Sequence, residues 1–368
     1  MRATRLVLVG LIAVSIPGGL AAGPPSLVLE DGGIQFPDGT VLDSAAAINP
    51  PETVTVAVDC TTGGSISEAL ETPARELTIQ ISGICNENVV IERSKVTLVG
   101  SDKTTDGIHG VATGAQFEPP VVNVLRSSNV QLENLTIANG PRHGVVTDYS
   151  KVAMDHCDVT GNPGWGLIFL QASRNHLTDV TVSSNGSGGM LVARASTINF
   201  NVGEISGNGT DRWAVSMSEA AYAYFRDSTI SGDKGVEAFM SGFAYLEDTP
   251  VTATDVALFS FEQGDINVVG RDATVQISGA IQADWKAFLW AFDVNQTDAT
   301  VGNKLSRDST LKLDNSTIQG LALEIFANGD ALDSDVGDVT CDAGADLYCH
   351  GTASTVSSST CGLCAATP

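Results

Sequence analysis

Six residues of this chain combine the types needed for acid–base or metal chemistry and recur at a spacing that could unite them: His156, Asp158, Asp179, Glu204, Arg226 and Asp227. Paired carboxylates suit glycosidic hydrolysis, where an acid and a base about 6.5–9.5 Å apart leave room for water. Asp158, Asp179 and Asp227 also form a possible calcium set, since calcium is a hard cation that takes several oxygen ligands. Calcium there could hold a uronate carboxylate while Arg226 acts as base or oxyanion partner. A second group combines cations with aromatic rings: Arg142, His143, Trp165, Arg212 and Trp213, with Lys234 nearby. Arginine and tryptophan on adjacent turns can stack on a sugar face. Arg174 and His176 read as single exposed residues.

These residues meet only if the chain is a repeat, and it is. Seven octapeptides align: VQLENLTI from Val130, VAMDHCDV from Val152, NHLTDVTV from Asn175, INFNVGEI from Ile198, AYFRDSTI from Ala223, AYLEDTPV from Ala244 and LKLDNSTI from Leu311. The first six begin 22, 23, 23, 25 and 21 residues apart. Such a period marks a solenoid, each coil burying its apolar face against the next. Positions one, three, six and eight are mostly apolar. Spacing two is a strand face; the step from three to six requires a bend. A further apolar pair follows eight and ten residues later, as in Val145/Thr147 and Leu167/Phe169. Each coil therefore has three short strands, with turns at Ala138-Asn139-Gly140, Ser184-Asn185-Gly186 and Gly207-Asn208-Gly209 drawn from residues that tolerate positive φ. Outward residues at one position form a column, and Asp158 and Glu204 fall about 10 Å apart, two coils along it. The same column is also explained without chemistry, because Asp, Asn and Thr routinely fill exposed bends.

The fold class is all-β: a single right-handed parallel β-helix over 54–327. It resembles the pectin-lyase-like superfamily. That resemblance implies the architecture and carries over no catalytic residue. The Asn-Thr-Asp, Asp-Asp, Gly-His-Gly and Arg-Ile-Lys elements of its hydrolases are absent, as is the Asp-Pro-His-Asp signature of the alginate epimerases. Met154-Asp155-His156 only faintly echoes the pectate lyase WIDH element. Between Val256 and Leu313 the register weakens, and DWKAFLWAFDV from Asp284 reads as a coil with a longer excursion, Trp285, Leu289 and Trp290 being core, a satellite cluster or a sugar-stacking patch.

The flanks complete the plan. Arg2 and Arg5, the apolar run Leu6 to Ile16 and small residues to Ala22 have the order of a secretory leader, 1–22. Hairpin signals fill 23–53, where FPDGT resembles a short module at the front of bacterial surface and fibre proteins. Ser65 with Glu68 makes a capping box for a short helix over the solenoid's first coil. In an exported chain Cys60 and Cys85 pair, and Cys341, Cys349, Cys361 and Cys364 form two bridges of open connectivity in a C-terminal cap or tail, 328–368. Cys157, in an apolar slot, is a small buried hydrophobe. With 43 acidic and 19 basic residues the net charge is −24, which repels nucleic acid and anionic lipid, and acidic polysaccharides too unless a divalent cation sits between. No stretch is long and apolar enough for a membrane span. A P-loop, a dinucleotide fingerprint and a Ser-His-Asp set are missing. The expected function is an exported envelope or surface protein contacting polysaccharide along an exposed sheet face, without demonstrated catalysis and with calcium as the one cofactor the residues suggest. The alternatives are a lyase, epimerase or hydrolase using the acidic stripe, with or without calcium, and a structural spacer or assembly module.

Overall fold

The computed structural model describes residues 51–298 and 302–323, the strands Val28–Glu30, Gly33–Gln35 and Val41–Leu42, and segments within 328–356. It divides into two compact units, 1–51 and 52–368. In the first, three short strands form an antiparallel sheet with Leu29 opposite Ile34 and Ile34 opposite Leu42.

The second unit is a right-handed parallel β-solenoid of about 11 turns. Octapeptide positions one to four build a first wall of 14 described strands, every neighbouring pair parallel. Positions seven and eight build a second wall, including Thr136–Ala138, Asp158–Thr160, Thr181–Ser183 and Glu204–Ser206. The third wall contains Val145–Asp148, Trp165–Leu170, Gly188–Val192, Trp213–Met217 and Lys234–Phe239. Leu132, Met154, Leu177, Phe200, Phe225 and Leu246 are successive register partners and all are buried. At about 25 cal/mol per Å² of apolar surface, burial of this column contributes to cohesion between coils. Phe200 fits because position six of its own octapeptide is Gly203, where a Cβ would collide with the Phe200 ring.

Position five is left-handed in coil after coil: Asn134, His156, Asp179, Val202, Asp227, Asp248, Asp293 and Asn315 have φ of 45–53°. Asn and Asp tolerate this region best, so much of the polarity of the bend has a backbone cause. The second bend is different. Ser184 and Gly207 have positive φ, but Asn185 and Asn208 do not. With Asn162 they turn inward and form a buried amide ladder. Asn162 Nδ2 donates to Asn185 Oδ1 at 2.9 Å, and Asn185 Nδ2 to Asn208 Oδ1 at 3.0 Å. Ser127, Ser150, Ser173 and Ser196 form a second ladder, each backbone N–H donating to the next hydroxyl.

Among the described residues of 256–313 there is no excursion. Ala244, Ile266, Leu289 and Leu311 are register partners, 22, 23 and 22 residues apart, so two regular coils lie where the octapeptide alignment fails. What changes is the turn between the second and third walls, which disappears into the continuous strands Val251–Phe261 and Val275–Asp284. The walls also run on past 327. Asn328–Leu332 and Asp346–His350 extend the first wall, with Ala331 and Val336 buried inside.

The first coil is covered by the helix Ile66–Leu70, with Ile66 fully buried. Ser65 Oγ accepts from Glu68 N as a cap should, but Glu68 does not complete the box. Glu87 instead caps the helix from the coil below, its carboxylate accepting from Ile66 N at 2.7 Å and Ser67 N at 3.1 Å. Arg93 satisfies the other end, donating to the carbonyls of Leu70, Thr72 and Ala74. The Cys60–Cys85 disulfide ties the helix segment to the same coil. Cys157 is buried with a free thiol, pushed up to about 12 by burial, and is inert as a nucleophile. Cys361 and Cys364 lie outside the described residues. Cys341 and Cys349 are placed as backbone, paired with Leu323 and Ala331.

Candidate functional site

The acidic stripe separates into two groups. In the first, His156 lies between Asp155 (Nδ1 to Oδ2, 3.0 Å) and Asp179 (Nε2 to Oδ2, 3.3 Å). Beside it Asp158 is bound by Lys103 at 2.8 Å. Lys103 comes from the 101–106 turn, which Asp106 nails down by accepting from the N–H groups of Gly83, Ser101 and Asp102. Partial burial opposes the Lys103 charge, but Asp158 and then Asp179 outweigh it and hold the ammonium above its ordinary value. In the second group Arg226 contacts Asp227 at 3.2 Å and Glu247 at 3.9 Å. Asp158 and Glu204 are two rungs apart as expected, with Thr181 between them, and Glu204 is exposed. The acid of that pair is thus engaged by a lysine 55 residues away, which no repeat alignment would bring to it. Among the described residues, no three of His, Cys, Asp and Glu are gathered as metal ligands.

The turn residues are also dispersed. Trp165 and Trp213 lie two rungs apart on the outer third wall, and the Trp165 ring rests over Gly188 between them. Arg142 and Arg212 are exposed. His143 is turned inward and accepts from Trp165 N at 3.0 Å through Nδ1. Burial, then Arg142, push its imidazole down to about 4, so it is a neutral acceptor that braces the turn. Trp213 instead joins a stack reaching toward the C-terminal coils, with Phe259 at 5.8 Å, and Lys234 sits 5.9 Å over its ring.

The most developed chemistry stands on the outer face of the first wall, at octapeptide positions zero, two and four. Tyr222 and Phe243 stack at 5.1 Å, and Tyr224 and Tyr245 lie 5.6 Å apart. One rung on come Asp265 and Asn267, and the next rung carries Phe288 and Trp290. Asp265 therefore sits between Phe243 and Phe288, and Asn267 between Tyr245 and Trp290. Asp265 Oδ1, Asn267 Oδ1 and Trp290 Nε1 have no hydrogen-bond partner. Buried polar atoms are nearly always paired, so two acceptors and a donor left unpaired and covered among these rings are an unusual feature of this face. Desolvation raises the Asp265 carboxyl to about 6. Lys312 covers the far side of Trp290 at 5.5 Å.

At the edge of this face Glu247 is 2% exposed although it points outward. Tyr224 donates its hydroxyl to Glu247 Oε2 at 2.7 Å, and Arg271 approaches Oε1 at 3.1 Å. Burial, then the bond to Glu247, raise the Tyr224 hydroxyl to about 12. Glu247 locks Tyr224, Arg226 and Arg271 in place and so fixes the border of the aromatic face.

A family model described as the right-handed β-helix region matches residues 81–279, more than half the chain. The chain belongs to the right-handed β-helix family. No curated protein matches it by sequence. Among solved structures this β-helix is similar to the catalytic domain of a GH87 α-1,3-glucanase in complex with tetrasaccharides, at 12% identity and TM-score 0.52 over 84% of this chain and 69% of that one. It is also similar to an alginate lyase from Paenibacillus sp. strain FPU-7, at 12% identity and TM-score 0.44 over 69% and 97% of the two chains. The mannuronan C-5 epimerase AlgE6 A-module of Azotobacter vinelandii gives 15% identity and TM-score 0.45 over 83% and 93%. These likenesses are of fold.

Proposed function

We propose that the protein is exported and holds a polysaccharide against the outer face of its first wall. The observation that carries this reading is the row of partly exposed aromatic side chains Tyr222, Phe243, Tyr245, Phe288 and Trp290, with covered, unpaired polar atoms of Asp265, Asn267 and Trp290 among them. Sugars present an apolar ring face edged by hydroxyls. Aromatic side chains take the face, and the covered acceptors take the hydroxyls once the rings move aside. The site is a wall, so it accommodates a polymer entering and leaving freely. A solved β-helix of similar fold being a glucanase domain in complex with tetrasaccharides supports the same ligand class. Export rests on the leader-like 1–22 segment and agrees with the Cys60–Cys85 disulfide, a bond favoured in oxidising compartments.

Binding is sufficient for this function; turnover is an added step for which the His156–Asp158–Asp179 group and Arg226 are the available residues. Calorimetry on the intact protein against a panel of polysaccharides tests the binding. Phe243→Ala with Trp290→Ala should reduce affinity at least tenfold, and unchanged affinity refutes the placement. Release of unsaturated or reducing ends that stops in an Asp158→Asn, Asp179→Asn, Glu204→Gln variant would establish catalysis on the bend.

A further inference from the structure

Along the column that carries Tyr222 and Phe243, the preceding rungs are Lys151, Arg174 and Thr197. Lys151 and Arg174 are direct register partners on adjacent parallel strands, one rung or about 4.8 Å apart. Like charges directly opposite on a sheet destabilise it. Yet both are exposed and neither side chain makes an ion pair or hydrogen bond, while Lys95, Lys103, Arg194, Arg226, Lys234 and Arg307 each reach a carboxylate. With His176 on the neighbouring column, the two cations line a groove of about 430 Å³ on this wall. Its other lining side chains include Gln131, Asn199 and Thr197, and none is acidic. In a molecule of net charge −24, a surface with two adjacent uncompensated cations and no carboxylate is a local inversion of sign. Screening over about 8 Å in physiological salt lets this patch act independently of the distant acids.

We infer that the Lys151–Arg174–His176 groove binds the anionic group of a charged polysaccharide, a uronate carboxylate or a sulfate ester, whose chain continues up the first wall to the Asp265–Trp290 face. This rests on the reading of that face as a polysaccharide site and specifies its ligand. From the Arg174 rung to the Asp265 rung is four steps, about 19 Å. The bridging ligand is therefore an oligomer aligned with the solenoid axis. The arginine fork and lysine ammonium receive the anion, the intervening Asn199 and Thr197 offer hydrogen bonds, and the rings hold the sugar faces. The bound anion also relieves the repulsion between Lys151 and Arg174, a gain unavailable to a neutral glycan.

The test is calorimetry on the intact protein with three oligosaccharides of eight sugars: a uronate, a sulfated glucan and an unsubstituted glucan. The wild type should prefer one or both charged probes, and the preferred one identifies the anion. Lys151→Gln with Arg174→Gln, both exposed, should weaken the charged probe at least tenfold, leave the neutral one within twofold, and flatten the salt dependence of the former. Trp290→Ala should weaken every probe that binds. Equal binding of charged and neutral probes by the wild type, or a double variant within twofold of wild type for the charged probe, overturns the anion site and leaves the aromatic site standing. No binding of any probe removes both.

Discussion

Asn175 and Asn185 are both buried inside the solenoid, at 6% and 0% exposure, and the same substitution should move stability in opposite directions. Asn175 occupies position one, between Val152 and Ile198 on the inner face of the first wall. Neither its Oδ1 nor its Nδ2 has a partner. Leaving a buried donor or acceptor unsatisfied costs about 1–3 kcal/mol, and a branched apolar residue suits the slot its neighbours define. Asn175→Val should stabilise the protein by roughly 1–3 kcal/mol, reduced by less than about 1.5 kcal/mol if the packing must adjust. Asn185 is the middle of the amide ladder: its Oδ1 accepts from Asn162 N and Nδ2, and the two hydrogens of its Nδ2 are shared among Val159 O, Ser183 O and Asn208 Oδ1. At a net of about 1 kcal/mol per bond, the loss of two accepted and two donated bonds is roughly 4 kcal/mol, and the apolar contact of a valine returns about 1. Asn185→Val should therefore destabilise by roughly 3 kcal/mol. Urea unfolding followed by circular dichroism near 215 nm, with slopes compared so that midpoints can be converted to free energies, reads both. Shifts of the same sign, or a loss of stability at Asn175, would refute the treatment of the interior.

Three further outcomes follow. Replacing Cys60 and Cys85 by alanine opens a loop spanning 25 residues of separation and should cost roughly 3.5 kcal/mol; hydrogen exchange should show the loss first in residues 53–91, over which Glu87 and Arg93 still hold the helix. Asp265 binds more protons folded than unfolded between about 4 and its raised value near 6, so its ionisation lowers stability as pH rises through that window. Asp265→Asn should gain stability above pH 6 and gain nothing below pH 4, as thermal unfolding across pH will show. His143 has the opposite sign: with its folded value near 4 against an ordinary 6.5, stability should fall as pH drops from 6.5 to 4, and His143→Gln should flatten that slope.

The solenoid was legible because its signal is repetitive: positions one and three in every octapeptide name the inner column, and the register confirms each pairing from Leu132 to Leu246. The site was poorly legible for a related reason. Outward residues in INVV and LWAF, from Ile266 and Leu289, include Val269, Trp290 and Phe292, so alternation vanishes and the alignment stops there. Those outward apolar residues belong to the aromatic face. A repeat that loses its polar side while keeping its period is a signal for a surface with work to do, and the 67-residue gap between Ala244 and Leu311 is three such periods. Lys103 could not be anticipated, because its partner Asp158 is brought to it by a turn outside the repeat. Left-handed backbone at position five gives Asp179, Asp227 and Asp248 a conformational reason to be there, one that strand alternation in the sequence does not display.

Tryptophan fluorescence during titration with a bound oligosaccharide tests the central claim most directly, since the four indoles occupy different places and only Trp290 lies beside Asp265 and Asn267. The emission change on binding should vanish in Trp290→Phe and persist in Trp285→Phe and Trp213→Phe. A change that survives Trp290→Phe and disappears with Trp213→Phe would place the polysaccharide on the third wall and contradict the account.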